Sequence, residues 1–408
     1  MMNTQELTVD KYIRKSYKGG WCYVKGDKAK KIIKGGMTVD VNSLYPSQMH
    51  SDSGNYYPTG YPTLWVGNYI PEKAWNNHRY FFVRFRARFN LKPGFLPTIQ
   101  IKGNPCYKAT EWIHTSKVYN PKDGKYYESF YDDQGMIREA RPLLTLSRPD
   151  YELFLQHYDV FDMTIYDGMY FTTMIGLFDD YIDHYKHIKE NSTGAVRELA
   201  KLFLNNLYGK FAANTDSSFK VLEKGEFGNL IARIEPENKK APGYIPIGSA
   251  VTSYARCFTI RAAQKNYDRF IYADTDSLHL EGSAKPKGIK IHDTDFNAWK
   301  IENTFHTGFY VRQKTYIEVT NDEKYIKDNG HPYIIKCAGM PQRCKDLLIK
   351  SFQGEHTIDH MTADEEEFLK VKRSIEDFNI GLKVPSKLRP VQIAGGIILV
   401  PTTYEMRP

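Results

Sequence analysis

Apolar and polar positions divide the chain into strand-like, helical and turn-rich stretches. Residues 37–41 (MTVDV) form an apolar, β-branched run with one embedded aspartate, which is typical of a buried strand. Residues 79–89 alternate in part and place arginines on one side, which also predicts a strand. Residues 269–280 carry apolar stretches on both sides of a polar D-T-D-S tip, which predicts a β-hairpin.

Helical periodicity dominates three further stretches. Residues 177–190 and 195–212 are separated by the polar break N-S-T-G, so they predict an antiparallel helix pair joined by a short turn. Residues 250–268 predict a third helix. Residues 90–150 and 213–245 are rich in turn-forming residues and predict two irregular insertions. The mixture of helix and strand signals predicts the α+β class.

Composition narrows the range of partners. The net charge of +8 (56 Lys and Arg against 48 Asp and Glu) suits a polyanion, but many proteins without such a partner are equally basic. No run approaches the roughly 20 apolar residues of a membrane helix, and the first residues show no apolar secretory segment. Five scattered cysteines without a C-x-x-C pattern favour a reducing compartment over a zinc site or a disulfide framework.

Three aspartates are candidates for one metal site. Asp40 lies in an otherwise apolar strand, where a bare buried carboxylate is too costly to stand without a partner. Asp274 and Asp276 lie at the hairpin tip, where they repel each other unless a cation lies beside them. Mg²⁺ takes such oxygen ligands together with substrate phosphates. Taken alone, each motif has a simpler interpretation: Asp40 could cap a turn with Asn42 and Ser43, and D-x-D is common in polar turns.

The predicted helix at 195–212 carries cations and polar aromatics on one face. At about 100° per residue, Arg197, Lys201, Asn205 and Tyr208 share that face, with the apolar side chains on another. Arg197 and Tyr208 would be about 16 Å apart along the axis, comparable to the reach from a triphosphate to its base. Lys189, at the end of the preceding helix, can join the cationic end. The alternative is an ordinary solvated face, although such a face usually mixes charges of both signs.

A two-metal phosphoryl-transfer site accounts for all these features together. In such sites two ions about 3.5–4 Å apart contact the attacking and leaving oxygens, and nearby cations neutralise the remaining phosphates.

Five segments, in this order, resemble the motifs of family B DNA polymerases. YKGG (17–20) resembles the Y-x-G-G motif, and DVNSLYPSQM (40–49) resembles motif A. KLFLNNLYGKFA (201–212) resembles motif B, YADTDS (272–277) motif C, and KTY (314–316) the K-x-Y motif. The resemblance extends over nearly the whole chain from Tyr17 onward and points to the protein-primed, monomeric replicases of bacteriophages with linear genomes.

The resemblance implies roles for individual residues. Asp40, Asp274 and Asp276 would be the catalytic carboxylates, and with the Val41 carbonyl they would hold two Mg²⁺ ions, for which Mn²⁺ can substitute. Tyr45 would be the steric gate that excludes a ribose 2′-hydroxyl. The implied nucleotide-binding residues are Ser43, Leu44, Tyr45, Lys189, Arg197, Lys201, Asn205 and Tyr208. The implied primer- and template-binding residues are Tyr17, Gly19, Gly20, Lys314, Tyr316 and Lys336.

The family's architecture is a right hand, and the resemblance extends it to this chain. The implied regions are a palm (1–51 and 245–336), fingers (177–212), two insertions resembling terminal-protein regions (52–176 and 213–244) and a thumb (337–408). The implied reaction is template-dependent addition of dNMP to a primer 3′-hydroxyl. Primer–template DNA and dNTPs would be the partners, with a terminal protein as a candidate first primer. The implied setting is the cytoplasm of an infected bacterial host, without a membrane.

The chain departs from the family pattern in two places. Asn206 stands where the family usually has serine, which puts details of the nucleotide pocket in doubt. Only 16 residues precede Tyr17, fewer than the ~50 of a small domain, so a chain starting here is expected to lack the 3′–5′ exonuclease domain.

Three other functions compete with the polymerase interpretation. A catalytically idle DNA-binding scaffold could keep the polymerase shape, but the predicted carboxylates are all present. A nucleotide-sugar transferase could use D-T-D to hold a metal, but it would not need the face with Lys201, Asn205 and Tyr208. An RNA-templated polymerase is the nearest alternative, and supplying RNA or DNA templates separates the two.

Overall fold

Strands form a seven-stranded sheet, a four-stranded sheet and four two-stranded ribbons within the described part of the chain. A computed structural model of the protein describes residues 4–101, 106–107, 112–213, 218–224, 230–236, 243–393 and 396–407. The strands are β1 (Cys22–Val24), β2 (Ile32–Val41), β3 (Tyr57–Val66), β4 (Arg79–Leu91), β5 (Val118–Asn120), β6 (Lys125–Tyr127), β7 (Ser129–Tyr131), β8 (Ile137–Glu139), β9 (Leu143–Ser147), β10 (Tyr158–Met174), β11 (Ser218–Lys224), β12 (Leu230–Pro236), β13 (Phe270–Asp274), β14 (Ser277–Glu281), β15 (Trp299–Arg312), β16 (Thr315–Thr320), β17 (Tyr333–Cys337), β18 (Lys383–Ile393) and β19 (Gly396–Glu405).

Helices pack against these sheets and against one another. They are α1 (Thr4–Arg14), α2 (Leu44–Met49), α3 (Arg148–His157), α4 (Asp179–Asn191), α5 (Gly194–Phe211), α6 (Ile245–Lys265), α7 (Glu323–Asn329), α8 (Gln342–Gln353) and α9 (Ala363–Leu369). None of the described helices combines the length and apolarity that crossing a membrane requires. The mixed helix and strand content agrees with the predicted α+β class.

The seven-stranded sheet has the order β1-β13-β14-β2-β15-β16-β17 with antiparallel neighbours throughout. Its apolar face is covered by α6, whose small residues let the helix approach the strands closely. Val39 and Val41 are buried in the core that this sheet forms with α6. Because side chains alternate along a strand, Thr38 and Asp40 belong to the opposite face of the sheet.

The four-stranded sheet, of order β3-β10-β4-β9, forms most of the first predicted insertion. Its core is aromatic: Phe81, Phe85 and Phe89 of β4 are fully buried and pack with Tyr151 and Phe154 of α3. The prediction of irregular structure across 90–150 was wrong in part, because the short strands β5 to β9 lie within it. The residues of β6, β7 and β8 are largely exposed, and β5 has only three residues, so periodicity gave little indication of these strands.

The predicted helix pair is present as α4 and α5, with bounds within two residues of those expected. Gly194 begins α5 with φ of +60°, a conformation that favours glycine after the break. Helix α6 begins five residues earlier than predicted, because Pro246 in its first turn is compatible with a helix start. The second predicted insertion contains the ribbon β11–β12. Lying outside the described residues are 102–105 and 108–111 of the first insertion and 214–217, 225–229 and 237–242 of the second.

The C-terminal part has its own apolar core, which α8 and α9 form with strands β15 to β18. Leu347, Phe352 and Phe368 of the helices pack there against Ile317 and Ile335 of the sheet. Strands β18 and β19 continue outward as a two-stranded ribbon. The C-terminal helices are therefore joined to the same sheet that carries Asp40.

Candidate active site

The three predicted aspartates lie where neighbouring strands of the seven-stranded sheet end: Asp40 near the end of β2, Asp274 at the end of β13 and Asp276 in the turn between β13 and β14. We refer to these strand ends as the acidic edge. Asp40 in β2 is opposite Ser277 in β14, and Ser277 is opposite Asp274 in β13. The Val41 amide donates a hydrogen bond of 2.8 Å to the Asp276 carbonyl oxygen. Segments more than 230 positions apart in the sequence thus meet through sheet pairing.

The hairpin tip between β13 and β14 is fixed from several sides. Thr275 has φ of +60°; its amide donates to the Trp21 carbonyl at 2.7 Å, and its own carbonyl accepts from the Thr259 hydroxyl at 2.8 Å. A Cβ atom added to Gly20 would lie 2.4 Å from the Thr275 hydroxyl oxygen. Gly20 therefore has a packing reason to be glycine, whereas an added Cβ at Gly19 would meet open space.

Electrostatics separate Asp40 and Asp276 from ordinary surface acids. Burial, then the charges of Asp276 and Glu302, raises the pKa of Asp40 to about 8, although Lys300 acts in the opposite direction. Burial is also the main cause of the raised pKa of Asp276. Two half-buried carboxylates that each disfavour ionisation are suited to a divalent cation, which would reverse both shifts. The described residues nevertheless contain no preformed cluster of three acidic, histidine or cysteine side chains of the kind that could hold a metal.

Asp274 differs from the other two because its carboxylate is already paired. The Lys314 ammonium lies 2.7 and 2.8 Å from its two oxygens, and the Tyr272 hydroxyl donates to it at 3.3 Å. The Lys314 amide in turn donates to the Tyr272 hydroxyl at 3.0 Å. The structure thus joins the K-x-Y segment to the D-T-D tip through Asp274. The charge of Asp276 acts on Asp40, and the charge of Asp274 acts on Asp276.

A cleft of about 560 Å³ opens beside the hairpin tip. Asp274, Asp276 and Lys314 line one part of it, and Lys336 and Lys345 line another. Tyr316, opposite Lys336 in the sheet register, also lines the cleft and stacks on Tyr310 with ring centroids 5.3 Å apart. Lys345 comes from α8 and was not predicted. The only indication of Lys345 in the sequence is a lysine near the start of a helix, and sequence alone cannot distinguish such a lysine from an ordinary solvated one.

The cationic end of the helix pair reaches the turn that follows Asp40. The Lys189 ammonium donates to the Ser43 hydroxyl at 3.0 Å, and Ser43 has φ of +52°. Burial, then the charges of Arg197 and Lys201, lowers the pKa of Lys189. These three predicted cations therefore lie near one another and close to Ser43, although Glu198 pairs with Arg197 at 3.2 Å.

Tyrosines connect this turn to the far end of α5. Tyr45 and Tyr208 are stacked with ring centroids 4.2 Å apart, and burial, then Tyr208, raises the pKa of Tyr45. Tyr17 packs in the same cluster. Leu44, by contrast, is buried in the sheet core, so only its backbone can face a nucleotide. Asn205 is exposed.

Arg256 of α6 is a residue that the sequence interpretation missed. Its side chain is 2% exposed and pairs with Asp150 of α3 at 2.5 Å. It also donates to the carbonyl oxygens of Lys18 at 2.5 Å and Gly19 at 2.9 Å. A charged residue in a helix of mostly small and apolar residues was the available signal, since a buried charge needs partners. Arg256 thereby fixes the Y-x-G-G segment against α6 and α3.

Comparisons with known proteins show similarity to one family over most of the chain. A model of the family described as DNA polymerase type B, organellar and viral, matches residues 1–294. The chain belongs to this family. Among its type B relatives, the DNA polymerase of Bacillus phage phi29 is 36% identical over 99% of this chain and 63% of its own length. The DNA polymerase of Streptococcus phage Cp-1 is 33% identical over 90% of this chain and 56% of its own length.

Solved structures of a type B polymerase share the fold. The phi29 enzyme in complex with primer-template DNA and incoming nucleotide substrates has a TM-score of 0.79 and 35% identity. The same enzyme with primer-template DNA has a TM-score of 0.77. Each match covers 98% of this chain and 63% of the solved chain. The chain therefore spans less than two thirds of the length of these relatives.

Proposed function

We propose that the chain is a DNA-directed DNA polymerase that extends a primer 3′-hydroxyl by two-metal phosphoryl transfer. The observation that supports this most is the meeting of Asp40 and Asp276 across paired strands, with the cations around Lys189 close to the following turn. Family membership and the similarity to a polymerase solved with DNA and nucleotides support the same proposal. A nucleotide-sugar transferase finds no such support.

Asp40, Asp276 and the Val41 carbonyl are the proposed ligands of two divalent ions, with Mg²⁺ as the expected metal and Mn²⁺ as a substitute. Their raised pKa values and all-oxygen chemistry fit a hard divalent cation. Asp274 is proposed as a third acid of the site, although its oxygens now contact Lys314. When bound, such ions supply charge neutralisation at the attacking and leaving oxygens.

The remaining groups bind and orient the reactants. Lys189, Arg197 and Lys201 are proposed to hold the triphosphate, and Ser43, through its bond to Lys189, places the turn against it. The stacked rings of Tyr45 and Tyr208 would form the floor under the sugar and nascent base pair. Nucleotide contacts from Asn205 and the Leu44 backbone remain predictions. In the reaction, the primer 3′-oxygen attacks the α-phosphorus and pyrophosphate leaves.

The cleft beside the hairpin tip is the proposed path of the primer strand. Lys314, Lys336 and Lys345 line it and would face backbone phosphates, while Tyr316 supports the floor. Tyr17, Gly19 and Gly20 are proposed to face the template, held in place by Arg256 and Thr275.

A right-hand assignment follows as part of the proposal. The seven-stranded sheet with α6 is the proposed palm, α4 and α5 are the fingers, and α8 to β19 form the thumb. The four-stranded sheet and the ribbon β11–β12 are proposed as the two terminal-protein regions. We propose a terminal protein as the first primer and the cytoplasm of an infected bacterium as the setting. Failure to deoxynucleotidylate any protein encoded by the same genome would count against protein priming.

Primer extension tests the central proposal. The chain is incubated with a primer annealed to a longer DNA template, dNTPs and Mg²⁺, and extension should stop at the template end and require the complementary dNTP. Asp276→Asn should abolish extension, while Asp268→Asn, which changes an exposed aspartate before β13, should not. Extension on RNA templates alone would favour the RNA-templated alternative, and no extension on either template would refute the proposal.

A further inference from the structure

A group of polar side chains lies on the face of the seven-stranded sheet that carries Asp40, two residues further along the strands. Asp40 is opposite Ser277, and two residues earlier Thr38 is opposite His279. Side chains two residues apart on a strand share a face, so Thr38 and His279 belong to the same face as the acidic edge. This group does not belong to the sites described above.

Glu318 of β16 is the centre of this group. Its carboxylate accepts hydrogen bonds from Thr38 Oγ1 at 3.0 Å, His279 Nδ1 at 2.6 Å, Tyr310 Oη at 2.7 Å and Asn303 Nδ2 at 2.7 Å. The donors come from β2, β14 and β15, so one carboxylate joins four strands of the sheet. We refer to Glu318 and these four donors as the Glu318 network.

The centre of the Glu318 network is closed to water and carries charge, while Thr38 and Asn303 at its margin are half-buried. Glu318 is 2% exposed and His279 is fully buried. Burial acts to raise the pKa of Glu318, but His279 and the hydrogen-bonding groups outweigh it and hold that pKa below its ordinary value. Hydrogen bonds to an ionised carboxylate are stronger and geometrically stricter than bonds between neutral groups.

Stability alone gives no reason to place such a network here. Buried ionic groups are often no more stabilising than apolar side chains of the same volume, and the other face of this sheet is held by apolar packing. What buried polar groups can add is a unique strand register, since each donor satisfies only one arrangement. Of these strands, β2 carries Asp40, β14 begins directly after Asp276, and β16 begins directly after Lys314.

We propose that Glu318 is a positioning residue for the phosphoryl transfer proposed above, and the inference rests on that function. The carboxylate holds β2 and β14 against β16, so that the Asp40 and Asp276 pair keeps a fixed distance from the primer-side residues Lys314 and Tyr316. Reacting atoms displaced by about 1 Å can slow a reaction by about 100-fold. Loss of Glu318 should therefore affect the chemical step more than binding.

Single-turnover primer extension at saturating DNA and dNTP measures that step. Glu318→Ala should lower the rate constant by about 30- to 100-fold, with the apparent dNTP affinity and the DNA Kd changed less than about threefold. Glu318→Gln keeps an acceptor oxygen for Tyr310 and Thr38 and should recover most of the rate. Hydrogen exchange of the backbone amides in 270–281 should be faster in Glu318→Ala than in the wild type.

Glu365 supplies the matched control, since it is also 2% exposed and hydrogen-bonded, but in the C-terminal core. Glu365→Ala should lower thermal stability without changing the single-turnover rate or the amide exchange of 270–281. If Glu318→Ala does not fold, Thr38→Val removes one donor at nearly constant volume. A rate loss of about threefold or more, with faster exchange in 270–281, is then the expected result.

The proposal is overturned by a wild-type rate in folded Glu318→Ala, or in Thr38→Val where that variant stands in. An equal loss in Glu365→Ala, or a slower rate without faster exchange in 270–281, also overturns it. Absence of extension by the wild-type chain would instead refute the proposed function. The exchange experiment needs no turnover, so the two failures are distinguishable.

Discussion

Asp40 is half-buried and Glu365 is buried, and the surroundings of these two carboxylates are opposite. Glu365, in the C-terminal core, accepts two hydrogen bonds from Arg343 at 2.8 and 2.9 Å, and that arginine is the main reason its pKa falls to about 2. Asp40, at the sheet edge, has Asp276 and Glu302 as neighbouring like charges, and its pKa rises to about 8. A structural acid is paired in the fold, whereas the proposed functional acid is left for a ligand to complete.

The largest test of this contrast removes the charge of Asp40. Asp40→Asn should slow primer extension by about a thousandfold or more, because several kcal/mol of transition-state charge stabilisation would be lost. DNA affinity, measured by fluorescence anisotropy, should change little. Without divalent ions the variant should melt at the same temperature as the wild type or higher, since asparagine avoids the free-energy cost of protonating this carboxyl, or of burying its charge, on folding. Retained turnover in Mg²⁺ would break the assignment of Asp40 as a ligand.

The second test concerns the stacked rings beside the acidic pair. Tyr45→Val removes the ring that faces Tyr208, so a ribose 2′-hydroxyl should be tolerated and the preference for dNTP over rNTP should fall by about 100-fold. Tyr45→Phe keeps the ring and should keep the preference. The ratio of kcat/KM for dNTP to that for rNTP is measured for both variants. Unchanged sugar selectivity in Tyr45→Val would refute the role of Tyr45 as the steric gate.

The third test asks whether the position of the hairpin tip depends on the close packing of Gly20 against Thr275. Gly20→Ala would bring a methyl group within 2.4 Å of the Thr275 hydroxyl oxygen, displace the tip and lower the extension rate by about tenfold. The double variant Gly20→Ala/Thr275→Gly removes the opposing side chain at a position with φ of +60°. It should regain most of the rate. A double variant as slow as Gly20→Ala would show that steric conflict is not the cause.

The smallest effect on activity is expected in the C-terminal core. Glu365→Gln should lower the free energy of unfolding by about 2 kcal/mol at neutral pH, and extension per folded molecule should be unchanged. The Glu365 pKa is lower in the folded protein, so its contribution is full above the unfolded pKa of about 4.3 and disappears as the pH falls towards 2. Denaturant unfolding at pH 7 and pH 3 should show that difference narrowing. A constant difference would mean the charge is not responsible.

Sequence patterns predicted those parts of the molecule that local periodicity governs. Residues 177–190 and 195–212 differ by at most two residues at each end from α4 and α5, because an amphipathic repeat and a polar break mark such helices directly. The hairpin at 269–280 was predicted for the same reason and is confirmed. The short strands β6 to β8 of the first insertion were missed, because largely exposed strands have no apolar face to reveal them.

Long-range side-chain pairing was the main part that could not be predicted. The motifs predicted that Asp274 lies beside Asp276. The ion pair between Asp274 and Lys314, however, depends on how close the end of β13 lies to the turn between β15 and β16. Arg256 and Glu318 were missed for a related reason. A single charged residue in a helix or strand is usually solvated, and only tertiary contacts show that these two are buried with partners.

Trp21, Thr259 and Gly20 hold Thr275 in place, and this determines when the backbone of the hairpin tip loses its conformational entropy. A loop that orders only when reactants arrive subtracts that ordering from the binding free energy. Here the backbone of the hairpin tip loses its freedom once, as the chain folds, so that loss is not subtracted when a nucleotide binds.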